Sequence, residues 1–168
     1  MQRRSELTKK FETSRKNLLW VAIFSVVNIL LVLLRANITF LFSASFPVLV
    51  IELGQILSEE LGYSPLLLIA AIISFVSISL YAVCYFLAKK HRVFILVALI
   101  LFSIDTLFLI WIITLGFELS ILLDVAFHIW ILYYLITGTR TWAVLRKLPP
   151  DEEIEEDGNE MPLVQPPA

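Results

Sequence analysis

The fold class predicted by this sequence is an all-α, polytopic membrane protein, and three observations predict it. The chain of 168 residues is 59% hydrophobic and 17% charged, with a mean hydropathy of +0.86, whereas a soluble domain is about 45–50% apolar and about 25% charged. Four apolar stretches are each long enough to cross a hydrocarbon core of roughly 30 Å. The charges are segregated: residues 1–16 hold six Lys/Arg against two Glu, and residues 148–168 hold seven acids and no base, so the net charge of -2 describes neither end. The expected organisation is a basic cytoplasmic lead (1–16), a four-span membrane domain (17–140) and an acidic disordered cytoplasmic tail (141–168). Within the domain the spans form a bundle, with an amphipathic or re-entrant helix added on the outer side.

The lead, MQRRSELTKKFETSRK, reads as a topology determinant that touches anionic lipid, lying as a helix on the membrane surface. So short a basic segment attached to a span does not suit nucleic acid. The run from Leu18 to Leu34 is long for a signal-peptide core, and no small-residue cleavage site follows it promptly, so it reads as an uncleaved anchor. The first span covers about 17–35, with Trp20 at headgroup depth, Asn28 near mid-span, and Arg35 extending its stem toward the interface.

Residues 36–64 are too polar at their end for an ordinary span and too apolar for a solvated loop. Within them, 45–61 predicts a helix on which Glu52, Gln55 and Glu59 share a face while Val48, Leu49, Ile51, Leu53 and Ile56 cover the rest. Pro47 suits its first turn and Gly62 its end. Such a helix is interfacial or re-entrant, and any irregular backbone before it, at Ser43-Ala44-Ser45, requires burial in protein or contact with water. The second span covers 65–88, from Pro65 to the basic Lys89–Arg92 turn, with Ser74, Ser77 and Ser79 around its middle. The third (93–115) and fourth (119–138) form a hairpin turning near Gly116. The lead, the Lys89–Arg92 turn and the Arg140–Lys147 exit are all basic and lie on one side of an even number of spans, which predicts a cell-membrane protein with both termini cytoplasmic. From Pro149 the acidic, proline-bearing chain has too few large apolar groups to fold.

The hairpin carries the candidate chemistry. Asp105 sits near the centre of the third span, and the fourth carries Asp124 and, one turn on, His128. Facing residues of a hairpin have nearly constant position sums, so Asp105 and His128 fall at one depth near the midplane, in a layer that also holds Asn28 and Ser77. A charge there costs roughly 2.5–3.5 kcal/mol on insertion scales unless it faces protein or water and finds a partner. Glu118 marks the outer mouth of the fourth span, and Glu52 and Glu59 stand above it. The picture is an acidic funnel leading to a midplane Asp–His pair.

Such a pair can serve simply as an interhelical hydrogen bond that locks register, a modest glue averaging about 0.6 kcal/mol in one membrane system. It also suits a proton relay or a small-cation path through Asp105, Asp124, His128 and Asn28. A divalent metal on Asp105, Asp124 and His128 is an alternative, as a mixed O/N donor set, although the primary reading includes no cofactor. A single cysteine, Cys84, excludes an internal disulfide and a CxxC motif. HExxH, GxSxG, Walker and GxGxxG patterns are absent, so the balance is against an enzyme. The expected function is therefore transport. Its alternatives are a non-catalytic membrane subunit or regulator that binds another membrane protein, and a metal-dependent membrane enzyme. The expected partners are the lipid bilayer and a membrane protein or a second copy, with no nucleic acid. Asn37-Ile38-Thr39 matches a glycosylation sequon but lies too near the membrane to be used.

Taken together, VVNILLVLL, FLFSASFP, ILFSIDTLFLI and DVAFHIWILYYLITG resemble an uncharacterised group of small four-span membrane proteins of Gram-positive bacteria, over most of 17–140. The resemblance implies an architecture and a cellular setting but no activity. It implies too that Asn28, Ser43, Pro47, Asp105, Asp124 and His128 belong together; the lead and the tail fall outside it.

Overall fold

A computed structural model of the chain describes residues 2–36, 43–116 and 121–148. It is built of five helices: α1 (Gln2–Leu33), α2 (Ser45–Glu60), α3 (Pro65–Lys90), α4 (Phe94–Leu115) and α5 (Ile121–Leu145). All but α2 are long and apolar enough to cross a membrane, the profile of a multi-pass membrane protein. Exposed side chains on these helices are large and apolar, among them Leu68, Ile72, Leu107, Ile110 and Ile129. Polar groups are turned inward, the arrangement expected where the surrounding solvent is lipid.

The basic lead is part of α1 rather than a separate helix on the lipid surface. Its 32 residues make a rod of about 48 Å at 1.5 Å per residue, longer than a hydrocarbon core, and the excess packs on its neighbours. Phe11 and Ser14 are buried. The Arg15 guanidinium pairs with Glu12 and lies 4.7 Å above the Tyr85 ring, while that of Arg92 stands 5.7 Å from the Phe11 ring. The far end of the chain departs from expectation in the same way. α5 runs through Gly138 to Leu145, and Thr141 and Leu145 are buried, so the first residues assigned to the acidic tail belong to the helical domain; 149–168 lie outside the described residues. Small residues make these long contacts close. A Cβ at Gly138 would stand 2.7 Å from that of Ser14, and one at Gly54 would stand 2.2 Å from that of Ala70. These are the close approaches of α1 to α5 and of α2 to α3.

The turns at one end of the molecule have clear local causes. α1 ends in Arg35 at φ 54, with the Arg35 N–H donating to Val32 O and the Ala36 N–H to Leu31 O, both at 2.9 Å. That is the Schellman arrangement, normally built on glycine. The Arg35 side chain pairs with Glu59, tying the C-terminal ends of α1 and α2 together. α2 stops at Leu61, followed by Gly62 at φ 61, and Pro65 then opens α3 at a position where a missing N–H costs nothing. α3 closes on Lys89 and Lys90, favourable charges at a helix C-terminus, and this basic turn marks the opposite end of the molecule. α1 packs on α2, α3 and α5, while α4 packs on α2, α3 and α5. Phe102, Ile95, Ile131 and Leu135 are fully buried between them.

Candidate functional site

The first turn of α2 is where the helices converge. An α-helix begins with four N–H groups that have no partner inside it, and inside a bilayer no water is at hand to take them. Here all are accounted for. The Ala44 N–H donates to Ser25 Oγ of α1 at 2.9 Å. The Ser45 N–H donates to Asp105 Oδ2 at 3.0 Å, and the Phe46 N–H to Asp105 Oδ1 at 2.8 Å. The fourth position is Pro47, which has no N–H. The carbonyl of Pro47 accepts the Ser74 hydroxyl of α3 at 2.7 Å, and the Asn28 amide of α1 donates to Ser43 Oγ at 2.6 Å. The Asp105 carboxyl is therefore the cap of a helix N-terminus, placed where the partial positive charge of the helix dipole is concentrated.

His128 completes the cluster from α5. Its Nδ1 lies 2.8 Å from the Asp124 backbone carbonyl, which can only accept, so Nδ1 carries a proton. Its Nε2 lies 2.9 Å from Asp105 Oδ2 and 3.4 Å from Ser45 Oγ. A hydrogen bond across Nε2–Oδ2 requires one proton between them, as imidazolium with carboxylate or as imidazole with carboxylic acid. Either way the pair is neutral overall, which is how two ionisable groups 3% and 1% exposed are kept at low cost. Phe102 stacks on the imidazole, with ring centroids 4.9 Å apart, and Phe127 meets it edge-on.

Beside this cluster lies a cleft of about 180 Å³ whose polar lining is Asn28, Ser43, Ser45, Glu52 and Asp124. Glu52 and Asp124 are half-buried. Ser45 belongs both to the cleft and to the clamp around Asp105. In the other direction, toward the basic end, α4 continues inward as Phe102, Ala98 and Ile95 and α5 as Ile131 and Leu135, all buried and apolar.

The candidate residues are thus distributed over two adjoining places. Asp105 and His128 meet directly. Asn28, on α1, donates to Ser43 in the stretch leading into α2 and lines the adjoining cleft. Asp124 touches His128 through its backbone carbonyl, while its side chain lines the cleft together with Glu52. Glu59 is paired with Arg35 at the surface and takes no part in the cleft, because it lies two turns beyond Glu52, at the solvent end of α2. Glu118 lies outside the described residues, as does the sequon at 37–39. Among the described residues no three His, Cys, Asp or Glu side chains gather as ligands for a metal ion. Asp105, Asp124 and His128 are not brought together as such a set.

Sequence reasoning named Ser43 but did not assign Ser25 or Ser74 to the site. Ser77 of the expected layer donates to the Ile73 carbonyl of its own helix, the default for a hydroxyl within a span. Ser74, one turn earlier, reaches across to Pro47. The available signal was FSASFP itself: buried irregular backbone demands partners, and Ser25, Asn28, Ser74 and Asp105 are the polar groups that supply them. Comparison of the chain with family models, with curated proteins and with solved structures returns no match.

Proposed function

We propose that this chain is a transport-type protein of the cell membrane, taking protons or small cations from outside to the Asp105–His128 pair. In this reading both termini are cytoplasmic, the four long helices form a bundle, and α2 is re-entrant. The architecture accords with the resemblance to small four-span membrane proteins of Gram-positive bacteria. A re-entrant α2 is supported by depth. Its first N–H groups bond Asp105, ten residues and about 15 Å from the end of α4, while its last turn is tied to Arg35 at the end of α1.

The observation that carries the transport reading is the cleft. Its acidic side chains, Glu52 and Asp124, raise the local concentration of cations. Ser45 at its floor stands 3.4 Å from the nitrogen that shares a proton with Asp105. A proton delivered there converts the neutral pair to imidazolium plus carboxylic acid, and its loss restores the pair. Inward of His128 the path is closed by Phe102, Ile131 and Leu135, which makes this the outward-open state. Delivery to the inside requires that apolar plug to part.

The test is flux in vesicles of purified protein under an imposed pH gradient. Flux that rises with the gradient and is lost in His128→Ala and reduced several-fold in Asp124→Asn supports the reading. Equal rates in wild type and His128→Ala overturn it. The three donors already engaged by Asp105 favour a second reading, in which the pair only clamps α2 and the protein is a non-catalytic subunit or regulator of another membrane protein. A stoichiometric partner that co-purifies with a flux-silent protein would decide for it.

A further inference from the structure

A second cavity reaches Asp105 from the lipid side. Between α3 and α4 a groove of about 240 Å³ is walled by Phe46, Leu80, Leu101, Ile104 and Phe108, and both Asp105 and Tyr81 line it. Leu80 and Ile104 on its rim are 46% and 56% exposed, so the groove opens where acyl chains lie rather than into the acidic cleft.

Its polar end is under-used. A carboxyl oxygen offers two lone-pair positions, and whichever partner holds the proton shared with His128, Oδ1 uses one, for the Phe46 N–H. One position on Oδ1 is left. Tyr81 is 5% exposed, its ring held edge-on to Phe102 at 6.2 Å, and its hydroxyl has no hydrogen-bond partner among the described residues. The hydroxyl is not among the fully enclosed polar atoms that lack a partner; it stays reachable from the groove that Tyr81 lines, so a ligand oxygen can take its hydrogen bond. Ser77, also on the groove, already donates to Ile73 O. The open donor and the open acceptor therefore belong to Tyr81 and Asp105.

The geometry points to a binding site for a lipid-borne molecule that carries a hydroxyl on an apolar body. The hydroxyl hydrogen bonds Asp105 Oδ1, its oxygen accepts from the Tyr81 O–H, and the apolar body lies along Leu80, Leu101, Ile104 and Phe108. A hydroxyl both donates and accepts, the two roles that Asp105 and Tyr81 leave open; a carbonyl would serve only Tyr81, an ammonium only Asp105, and a hydrocarbon neither. This site goes beyond the transport reading and does not depend on it. The cleft is filled from water and the groove from the membrane.

The test is photolabelling of the full chain in phosphatidylcholine nanodiscs, with a diazirine-bearing octanol and, at equal membrane concentration, the same diazirine octane without the hydroxyl. Labelled peptides are mapped by mass spectrometry, and backbone hydrogen exchange at Ser45 is followed in parallel. We expect the octanol to label the α3 and α4 peptides holding Leu80, Leu101 and Ile104 about tenfold more than the octane, the preference one hydrogen bond to a charged group provides. Tyr81→Phe should cut that preference at least about threefold, and Leu101→Trp, which fills the groove, should remove labelling by both probes. Equal labelling by the two probes in the wild type overturns the site, as does a preference that Tyr81→Phe leaves intact. If Tyr81→Phe loses exchange protection at Ser45, Leu101→Trp decides: octanol labelling that survives in it overturns the site, and its disappearance supports it. Flux is not measured here, so failure of the transport reading and failure of this site are separate results.

Discussion

Replacing Asp105 by alanine removes the acceptor that serves the Ser45 N–H, the Phe46 N–H and the shared proton of His128. Two backbone donors are then left in a buried, largely apolar setting, each at about 1–3 kcal/mol, so Asp105→Ala should cost about 2–6 kcal/mol. His128 can retire as neutral imidazole with Nδ1 still bonded to the Asp124 carbonyl, so it adds little. Asp105→Asn should be milder. Its amide oxygen can still accept the Phe46 N–H and its amide nitrogen can donate to the neutral Nε2, which strands only the Ser45 N–H, at about 1–3 kcal/mol. The assay is unfolding in mixed micelles by titration with SDS, read by tryptophan fluorescence, together with hydrogen exchange at Ser45 and Phe46. Asparagine should expose Ser45 alone and alanine both amides. If Asp105→Ala unfolds within about 0.5 kcal/mol of wild type, the range of ordinary surface changes, and both amides keep their protection, Asp105 does not hold the start of α2.

Other positions test the packing around this clamp. Gly54→Leu forces a side chain into Ala70, whose Cβ would lie 2.2 Å from the new one; the variant should lose about 1–3 kcal/mol or more from overpacking, with partial recovery in Gly54→Leu/Ala70→Gly, and no loss of stability would show that α2 and α3 do not meet here. Ser74→Ala leaves the Pro47 carbonyl without its side-chain donor and should cost about 0.5–1.5 kcal/mol, whereas Ser77→Ala, which only releases Ile73 O, should be within error in the same SDS titration. Equal effects of the two serine variants would refute the assignment of Ser74 to the clamp.

Much of the architecture was legible because one-dimensional signals report it directly. Long apolar runs bounded by Pro65, the Lys89–Arg92 turn and Gly116 mark where helices cross, since lipid tolerates little else. The extra helix at Ser45–Glu60 was legible from Pro47, Gly62 and the spacing of its acids. The ends were misjudged because polarity was equated with solvent: Arg15 lies over an aromatic ring, and Ser14 and Thr141 are buried. Periodicity along one helix does not reveal that a neighbour covers the polar residue.

The residues of the site show the same division. That Asp105 and His128 share a depth follows from their places in a tight hairpin, where position alone sets height. Which donors surround Asp105 does not follow, because they come from α2, sixty residues earlier in the chain.

By itself, then, the sequence determined that four helices are long and apolar enough to cross a membrane, that a shorter one stands between the first two, and that a few ionisable groups must be hidden from lipid. Those outcomes depend on local composition and on the cost of exposing backbone or charge to hydrocarbon. Only the tertiary structure decided that Asp105 caps α2, that Ser74 rather than Ser77 reaches Pro47, and that Asp124 and Glu52 face a cleft while Glu59 faces Arg35. The reason is that a hydrogen bond between helices depends on rotation about each helix axis, and that rotation is set by close contacts such as Gly54 on Ala70 and Gly138 on Ser14, which appear only once the helices are packed.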